Sequence, residues 1–289
     1  MKPKRIFIPG DEWLYYKIYC GARTSDLVLI ETIKPLVDAL QQKGWIDKWF
    51  FIRYNDPDFH IRIRFHLTDT KHIGRVILAF NEVIKSYVDD DIIYKVQTDT
   101  YIRELERYGT KNIENSEYLF HHESEMLLQA MELIEDDHLY FLFILKAIDE
   151  LLESFHYTLE DKLSLAKTNK ELFWKEFNGN KQLTKQLDKK YRLHKEQLLS
   201  FMSNQNPDAK PLYQILEATK NISSETIQHI LTYFDESRTL SKNQLISSYI
   251  HMLVNRAFRS KQRFYELVCY DFLVKYYRSQ KFKPNIDQL

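Results

Sequence analysis

The stretch WFFIRYNDPDFHIRIRF, residues 49–65, constrains this chain's fold more than any other segment. Two runs rich in aromatic and β-branched residues flank NDPD, whose Asn, Asp and Pro favour a turn. KWFFIRY and FHIRIRF are therefore expected to pair as an antiparallel hairpin. Successive strand side chains point to opposite faces, so Ile61, Ile63 and Phe65 share one face and His60, Arg62, Arg64 and His66 the other. A sheet with one apolar face must be covered by another layer.

The flanking sequence supplies that layer. WLYYKIYC, residues 13–20, alternates like a strand, and Thr24 or Ser25 is a candidate N-cap for a helix ending at Gly44. Pro35 is expected to kink or divide that helix. A helix near 70–88 and a strand near 91–98 follow. From Ser116 onward, SEYLFHHESEMLLQAMELI, HLYFLFILKAIDELLESF, KELFWKEF and SSYIHMLVNRAF carry apolar residues three and four apart, with breaks at NGN and NQNPDAKP. The expected class is α+β: an N-terminal antiparallel or mixed sheet with packed helices over residues 1–110, then a mainly helical part over 111–289. No Gly/Ser-rich or Pro-rich linker separates halves, so residues 1–289 are read as a single domain.

Lys and Arg total 41 and Asp and Glu 41, so no whole-molecule field steers the chain toward nucleic acid or an anionic membrane. Anion recognition has to be local. Cys20 and Cys269 form neither a disulfide framework nor a zinc pattern, no apolar run has the length of a membrane span, and no signal peptide is visible. A cytoplasmic location is expected. The six glycines are scattered, without a phosphate loop, and no nucleophile motif occurs. HHESE at 121–125 places adjacent histidines about 100° apart on a helix, which disfavours a shared metal. No metal or cofactor is expected.

Three segments concentrate cations or histidine: the hairpin with Arg53, Arg62 and Arg64; YIRELERYG at 101–109, where Arg103 and Arg107 lie four apart as on one helix face, with Glu104 and Glu106 able to orient them; and SSYIHMLVNRAF, with His251, Asn255 and approximately Arg256 on related helix faces. In this order, with FHHESEMLL between and ELVCYDFLVKYYRS closing the chain, they resemble the C-terminal glutamate-elimination domain of class I lanthipeptide dehydratases. The same family includes stand-alone thiopeptide-type bacteriocin biosynthesis proteins. The resemblance runs from about residue 13 to about 280. Two departures stand out: TKNIENSEYLF after Gly109 lacks a second glycine and a proline, and Glu123 replaces the aspartate common before Ser124.

The resemblance implies a lyase acting on a ribosomally made precursor peptide. A separate glutamylation enzyme first esterifies Ser or Thr with glutamate from glutamyl-tRNA. The elimination domain then removes glutamate, leaving dehydroalanine or dehydrobutyrine. Tight nucleic-acid binding is not expected, because elimination begins after the tRNA has left. By match to the family's motifs, Arg62, Arg64, Arg103 and His251 are the implied catalytic core, with Arg53, Tyr101, Arg107 and Asn255 binding substrate. Fixed guanidinium groups suit a leaving carboxylate and a developing oxyanion, and histidine exchanges a proton near neutral pH. Stand-alone relatives catalyse a formal [4+2] cycloaddition between two dehydroalanines, and a non-catalytic scaffold that holds the precursor is a third reading.

Overall fold

A computed structural model describes residues 3–236 and 240–281. The strands are β1 (Ile6–Phe7), β2 (Trp13–Cys20), β3 (Ile46–Asn55), β4 (Phe59–Leu67), β5 (Ile93–Thr98) and β6 (Tyr101–Ile102). The α-helices are α1 (Thr24–Leu27), α2 (Lys34–Gln42), α3 (Ile73–Asp89), α4 (Leu105–Tyr108), α5 (Ile113–Leu133), α6 (Asp137–Ser154), α7 (Leu159–Glu176), α8 (Lys181–Met202), α9 (Lys210–Glu236), α10 (Lys242–Ala257) and α11 (Gln262–Lys281). The class is α+β, with an antiparallel N-terminal sheet and a mainly helical C-terminal half. Two compact units are distinguished: Met1–Glu135 with Asn221–Ser260, and Asp136–Lys220 with Lys261–Leu289.

In the first unit β3, β4, β2 and β5 form one sheet in that order, every pair antiparallel, while β1 and β6 form a separate ribbon. The hairpin and WLYYKIYC are therefore strands, as their alternation requires. Ile61, Ile63 and Phe65 face Ile18, Tyr16, Leu14, Phe51 and Trp49 across the sheet, and this face packs on Val28, Leu29, Ile33, Val37, Val76, Phe80 and Ile84. Each of these large side chains contributes roughly 1.5–3 kcal/mol on burial.

The segment from Thr24 to Gln42 shows how local chemistry shapes the covering layer. Pro35 has no N–H for the Glu31 carbonyl and its ring crowds that turn, and the helix widens to a π-helical turn over Val28–Ile33 before α2 resumes. Neither Thr24 nor Ser25 serves as the expected cap: the helix starts behind Arg23 with no side-chain cap, and the Ser25 hydroxyl instead donates to Ala22 O and accepts from Arg53. Gly44 does end α2. Its φ of +65° lets its N–H donate to Gln41 O while Trp45 N–H donates to Leu40 O, a Schellman pair.

Edge strand β3 is closed by side chains from helices. Its outward backbone groups meet His121 Nδ1 at Trp49 O, Ser124 Oγ at Phe51 N and Asn255 at Arg53, where Oδ1 accepts from N–H at 3.0 Å and Nδ2 donates to C=O at 2.9 Å. These bonds satisfy groups that would otherwise be costly to bury. The HHESE segment is thus structural: His121 and Ser124 hold β3, Glu123 pairs with buried Arg256, and Glu125 accepts from Trp49 Nε1. No group of three metal-ligating side chains occurs among the described residues.

The second unit is helical. Phe173 stacks on Tyr270, and Phe141 and Tyr191 meet Phe272 edge-on. Asp149, buried among these helices, accepts from Lys162 Nζ at 2.7 Å and Tyr277 OH at 2.9 Å. Helix α7 opens with a capping box between Thr158 and Asp161. No helix among the described residues is long and apolar enough to cross a membrane.

Candidate functional site

Antiparallel pairing turns the polar face of the sheet into cross-strand rows, because directly opposed residues share a face. Arg64 lies between Tyr15 and Phe50, Arg62 between Lys17 and Ile52, and His60 between Tyr19 and Tyr54. Arg62 and Arg64 are thus side by side, as alternation predicts.

Their environments are unusual for arginines. Arg64 is 8% exposed, and its guanidinium carbon lies 4.4 Å from the Tyr15 ring, 4.8 Å from Tyr101 and 5.2 Å from Phe50. Among the described residues it makes neither an ion pair nor a hydrogen bond, and its Nε is buried without a partner. Aromatic faces attract a cation, but they leave its N–H donors unused. Arg62 is half-buried, with its guanidinium carbon 3.4 Å from the Tyr54 ring centroid. Its Nε–H donates to His60 Nε2 at 3.0 Å, and it too has no carboxylate partner among the described residues. His60 is fully buried, and its Nδ1 lies 2.9 Å from Asp58 O. Burial, with Arg62 and Lys17 nearby, lowers its pKa and keeps the ring neutral, in the tautomer that accepts from Arg62. Lys17 is instead tied to Asp99.

Arg103 is held differently. Its Nε and Nη2 donate to the two oxygens of Glu117 at 2.7 Å each, and Nη1 donates to Lys4 O and Glu114. Glu117 is fully buried, also accepts from Tyr101 OH at 2.9 Å and lies 3.6 Å from Lys48 Nζ. Burial and the adjacent carboxylate push the Tyr101 phenol well above its ordinary range. Arg103 and Arg107 do not share a helix. β6 pairs with β1 and Arg103 N–H donates to Arg5 O at 2.9 Å, so helix α4 begins only at Leu105.

Arg107 comes to the helix that carries His251. Its Nε donates to Ser248 Oγ at 3.3 Å and its Nη1 to Glu104 at 3.1 Å, and it stays partly exposed. Ser248, His251 and Asn255 occupy successive turns of one α10 stripe; Asn255 fastens that stripe to β3 and His251 is half-buried. An aromatic chain links the two clusters: Phe50 below Arg64 meets Phe120 at 5.5 Å, Phe120 meets Tyr108 at 5.2 Å, and Tyr108 stacks on Tyr249 of α10 at 5.8 Å. Arg53 is apart from all of this. It pairs with Ile61, hence points to the apolar face, where Ser25, Asp26 and the Arg256 carbonyl surround it at 1% exposure.

The sequence reading placed His60 on the arginine face without giving it a role, and it did not single out Glu117, Lys17 or the Tyr15, Phe50 and Tyr54 rings. A signal for Glu117 existed: with Ile113, Phe120, Ser124 and Leu127 it falls on the buried stripe of α5, where a carboxylate needs a buried cation.

Comparison with solved structures shows the same fold. The chain superimposes on the tRNA-dependent lantibiotic dehydratase MibB from Microbispora sp. 107891 with TM-score 0.75 and 18% identity, covering 98% of this chain and 29% of that one. TbtD, a pyridine synthase from thiomuracin biosynthesis, matches with TM-score 0.66 and 12% identity over 93% of this chain and 100% of that one. Among curated sequences, the subtilin biosynthesis protein SpaB of Bacillus subtilis is 24% identical over 266 residues, 88% of this chain and 24% of SpaB. The nisin biosynthesis protein NisB of Lactococcus lactis subsp. lactis is 29% identical over 137 residues, 46% of this chain and 13% of NisB. The chain therefore spans a quarter or less of these curated relatives. Residues 13–277 match the family described as lantibiotic biosynthesis dehydratase C-term, and the chain belongs to that family.

Proposed function

We propose that this chain eliminates glutamate from glutamylated Ser or Thr of a ribosomally synthesised precursor peptide, giving dehydroalanine or dehydrobutyrine. In this reading residues 1–289 work as one elimination domain in the cytoplasm, and a separate enzyme supplies the glutamyl ester. The observation that carries the proposal is the pair Arg62 and Arg64: two adjacent guanidinium groups on one sheet face, neither with a carboxylate partner among the described residues, where Arg64 is buried and makes no hydrogen bond. A buried unpaired cation is costly unless a ligand completes it. A substrate carboxylate accepts from such a fork bidentately.

In the reaction the Cα proton of the esterified residue is lost, its electron pair forms the Cα=Cβ bond, and the Cβ–O bond breaks to release glutamate as its carboxylate. Arg62 and Arg64 hold glutamate carboxylates and offset charge growing on the peptide carbonyl. His251, the half-buried histidine of α10, handles the proton. Arg107 donates to Ser248, which lies one helical turn before His251 on α10, and supplies a further, partly exposed cation. Arg103, consumed by Glu117, acts by positioning Tyr101 against Arg64, while Asn255 and Arg53 fix α10 on β3.

The test is mass spectrometry of precursor peptide co-expressed with the glutamylating enzyme and Arg64→Ala or His251→Ala. Glutamyl adducts should accumulate, with elimination slowed about 10²–10³-fold for Arg64→Ala, and Arg64→Lys should rescue only partly. Complete, glutamate-free dehydration by both alanine variants would sink the proposal. Dehydrated, uncyclised peptide would move the assignment to cycloaddition of the pyridine-synthase kind.

A further inference from the structure

The four-stranded sheet has two edges, and the fold treats them differently. At β3 helix side chains take the outward backbone groups of Trp49, Phe51 and Arg53. At β5 no described side chain does so. The register identifies the open groups. The Tyr15 carbonyl accepts from Asp99 N–H at 3.1 Å, so Tyr15, Lys17 and Tyr19 turn their backbone groups toward β5 and meet Asp99, Gln97 and Lys95. By alternation Val96 and Thr98 turn theirs outward. From Lys95 to Thr98 the pairing is regular and free of proline, and Lys95, Gln97 and Thr98 are exposed. Such an edge is a template for another extended chain.

The same strand borders the arginine face. Gln97, Lys17 and Arg62 form one cross-strand row, and Lys95, Tyr19 and His60 the next. Lys95 on the edge strand and Arg62 two strands further in are cations on this one face, while Lys17 between them is offset by Asp99, so the face is complementary to a peptide that carries carboxylates. From an added strand to β4 is three interstrand steps, about 14 Å, a distance that residues next to the paired segment can cross.

We propose that β5 is the docking edge for the peptide substrate, which adds as a fifth, extended strand hydrogen-bonded to Val96 and Thr98. The occupant follows from the elimination reading above. The probe is a fluorescein-labelled peptide of alternating Thr and Val with one O-glutamylserine at its centre. Binding is read by anisotropy, and hydrogen–deuterium exchange reads the Val96 and Thr98 amides. Thr98→Pro removes an outward N–H without breaking the ladder to β2, and Thr98→Ala keeps it. The same peptide N-methylated at alternate residues tests the bonds from the other side, with the protein unaltered.

The expected result is protection of both amides, roughly tenfold weaker binding for Thr98→Pro and for the N-methylated peptide, and no change for Thr98→Ala. Main-chain bonds carry this mode of recognition with little dependence on flanking side chains, so absence of binding overturns the proposal. Binding without protection at β5, or a doubled mass in solution abolished by Thr98→Pro, overturns it too. Trapped glutamyl ester with Arg64→Ala beside unchanged peptide binding with Thr98→Pro removes the edge and leaves elimination. The reverse pattern removes elimination and keeps the edge.

Discussion

Replacing Glu117 tests whether Arg103 belongs to the supporting framework. The carboxylate is fully buried and meets Arg103 twice at 2.7 Å, Tyr101 OH at 2.9 Å and Lys48 at 3.6 Å. Glu117→Ala strands two buried cations and a phenol, so the cost is that of breaking a buried pair from one side, about 3–5 kcal/mol. Glu117→Gln keeps the shape but loses the charge, and about 2–3 kcal/mol is expected from hydrogen bonds to charged groups. Apolar replacement of both partners, Arg103→Met with Glu117→Leu, removes one of the two uncompensated charges and should recover part of the loss, since such swaps are often near neutral while Lys48 stays buried without its carboxylate. Urea unfolding followed by tryptophan fluorescence, with Trp174 of the second unit replaced by Phe, reads the first unit, where Trp13, Trp45 and Trp49 lie and Trp13 touches Tyr101 edge-on at 5.3 Å. A Glu117→Ala loss under about 1 kcal/mol, the range of an exposed pair, would refute the reasoning. So would a double variant no more stable than the sum of the singles.

Further outcomes follow from the same contacts. Burial lowers the His121 pKa to about 4, so its folded value lies below the unfolded value of about 6.5. The neutral ring's contribution is full above about pH 6.5 and is lost as pH falls toward 4, up to about 3 kcal/mol. His121→Asn should flatten that part of the acid dependence in urea midpoints taken from pH 7.5 to 4.5, and an unchanged slope would contradict the assignment. Asn255→Ala removes both side-chain bonds to Arg53 and should cost about 2 kcal/mol, with faster exchange of the Arg53 amide. Unaltered exchange there would show that α10 is held to β3 by packing alone.

The strands and the faces of β4 were legible in the sequence because their causes are local. Alternation put Arg62 and Arg64 together opposite Ile61, Ile63 and Phe65, proline divided the first long helix, and glycine ended it. The family was legible because its motifs are contiguous stretches of chain, readable whether or not one element holds all of their residues.

What only the tertiary structure decided depends on register and on partners distant in sequence. A four-residue turn at NDPD would set Arg53 opposite His60, on the arginine face. The observed loop of Asp56, Pro57 and Asp58 pairs Asn55 with Phe59, so Arg53 falls opposite Ile61 and turns to the apolar side. One residue of loop length changes the face of a whole strand. Arg103 and Arg107 were four apart in a helix-like string, but pairing with β1, nearly a hundred residues away, holds Arg103 extended and delivers it to Glu117. The edge at β5, open among the described residues, and the closed edge at β3 arise the same way. Helices α5 and α10 reach one side of the sheet and supply its missing hydrogen-bond partners, a matter of three-dimensional proximity that no local pattern encodes.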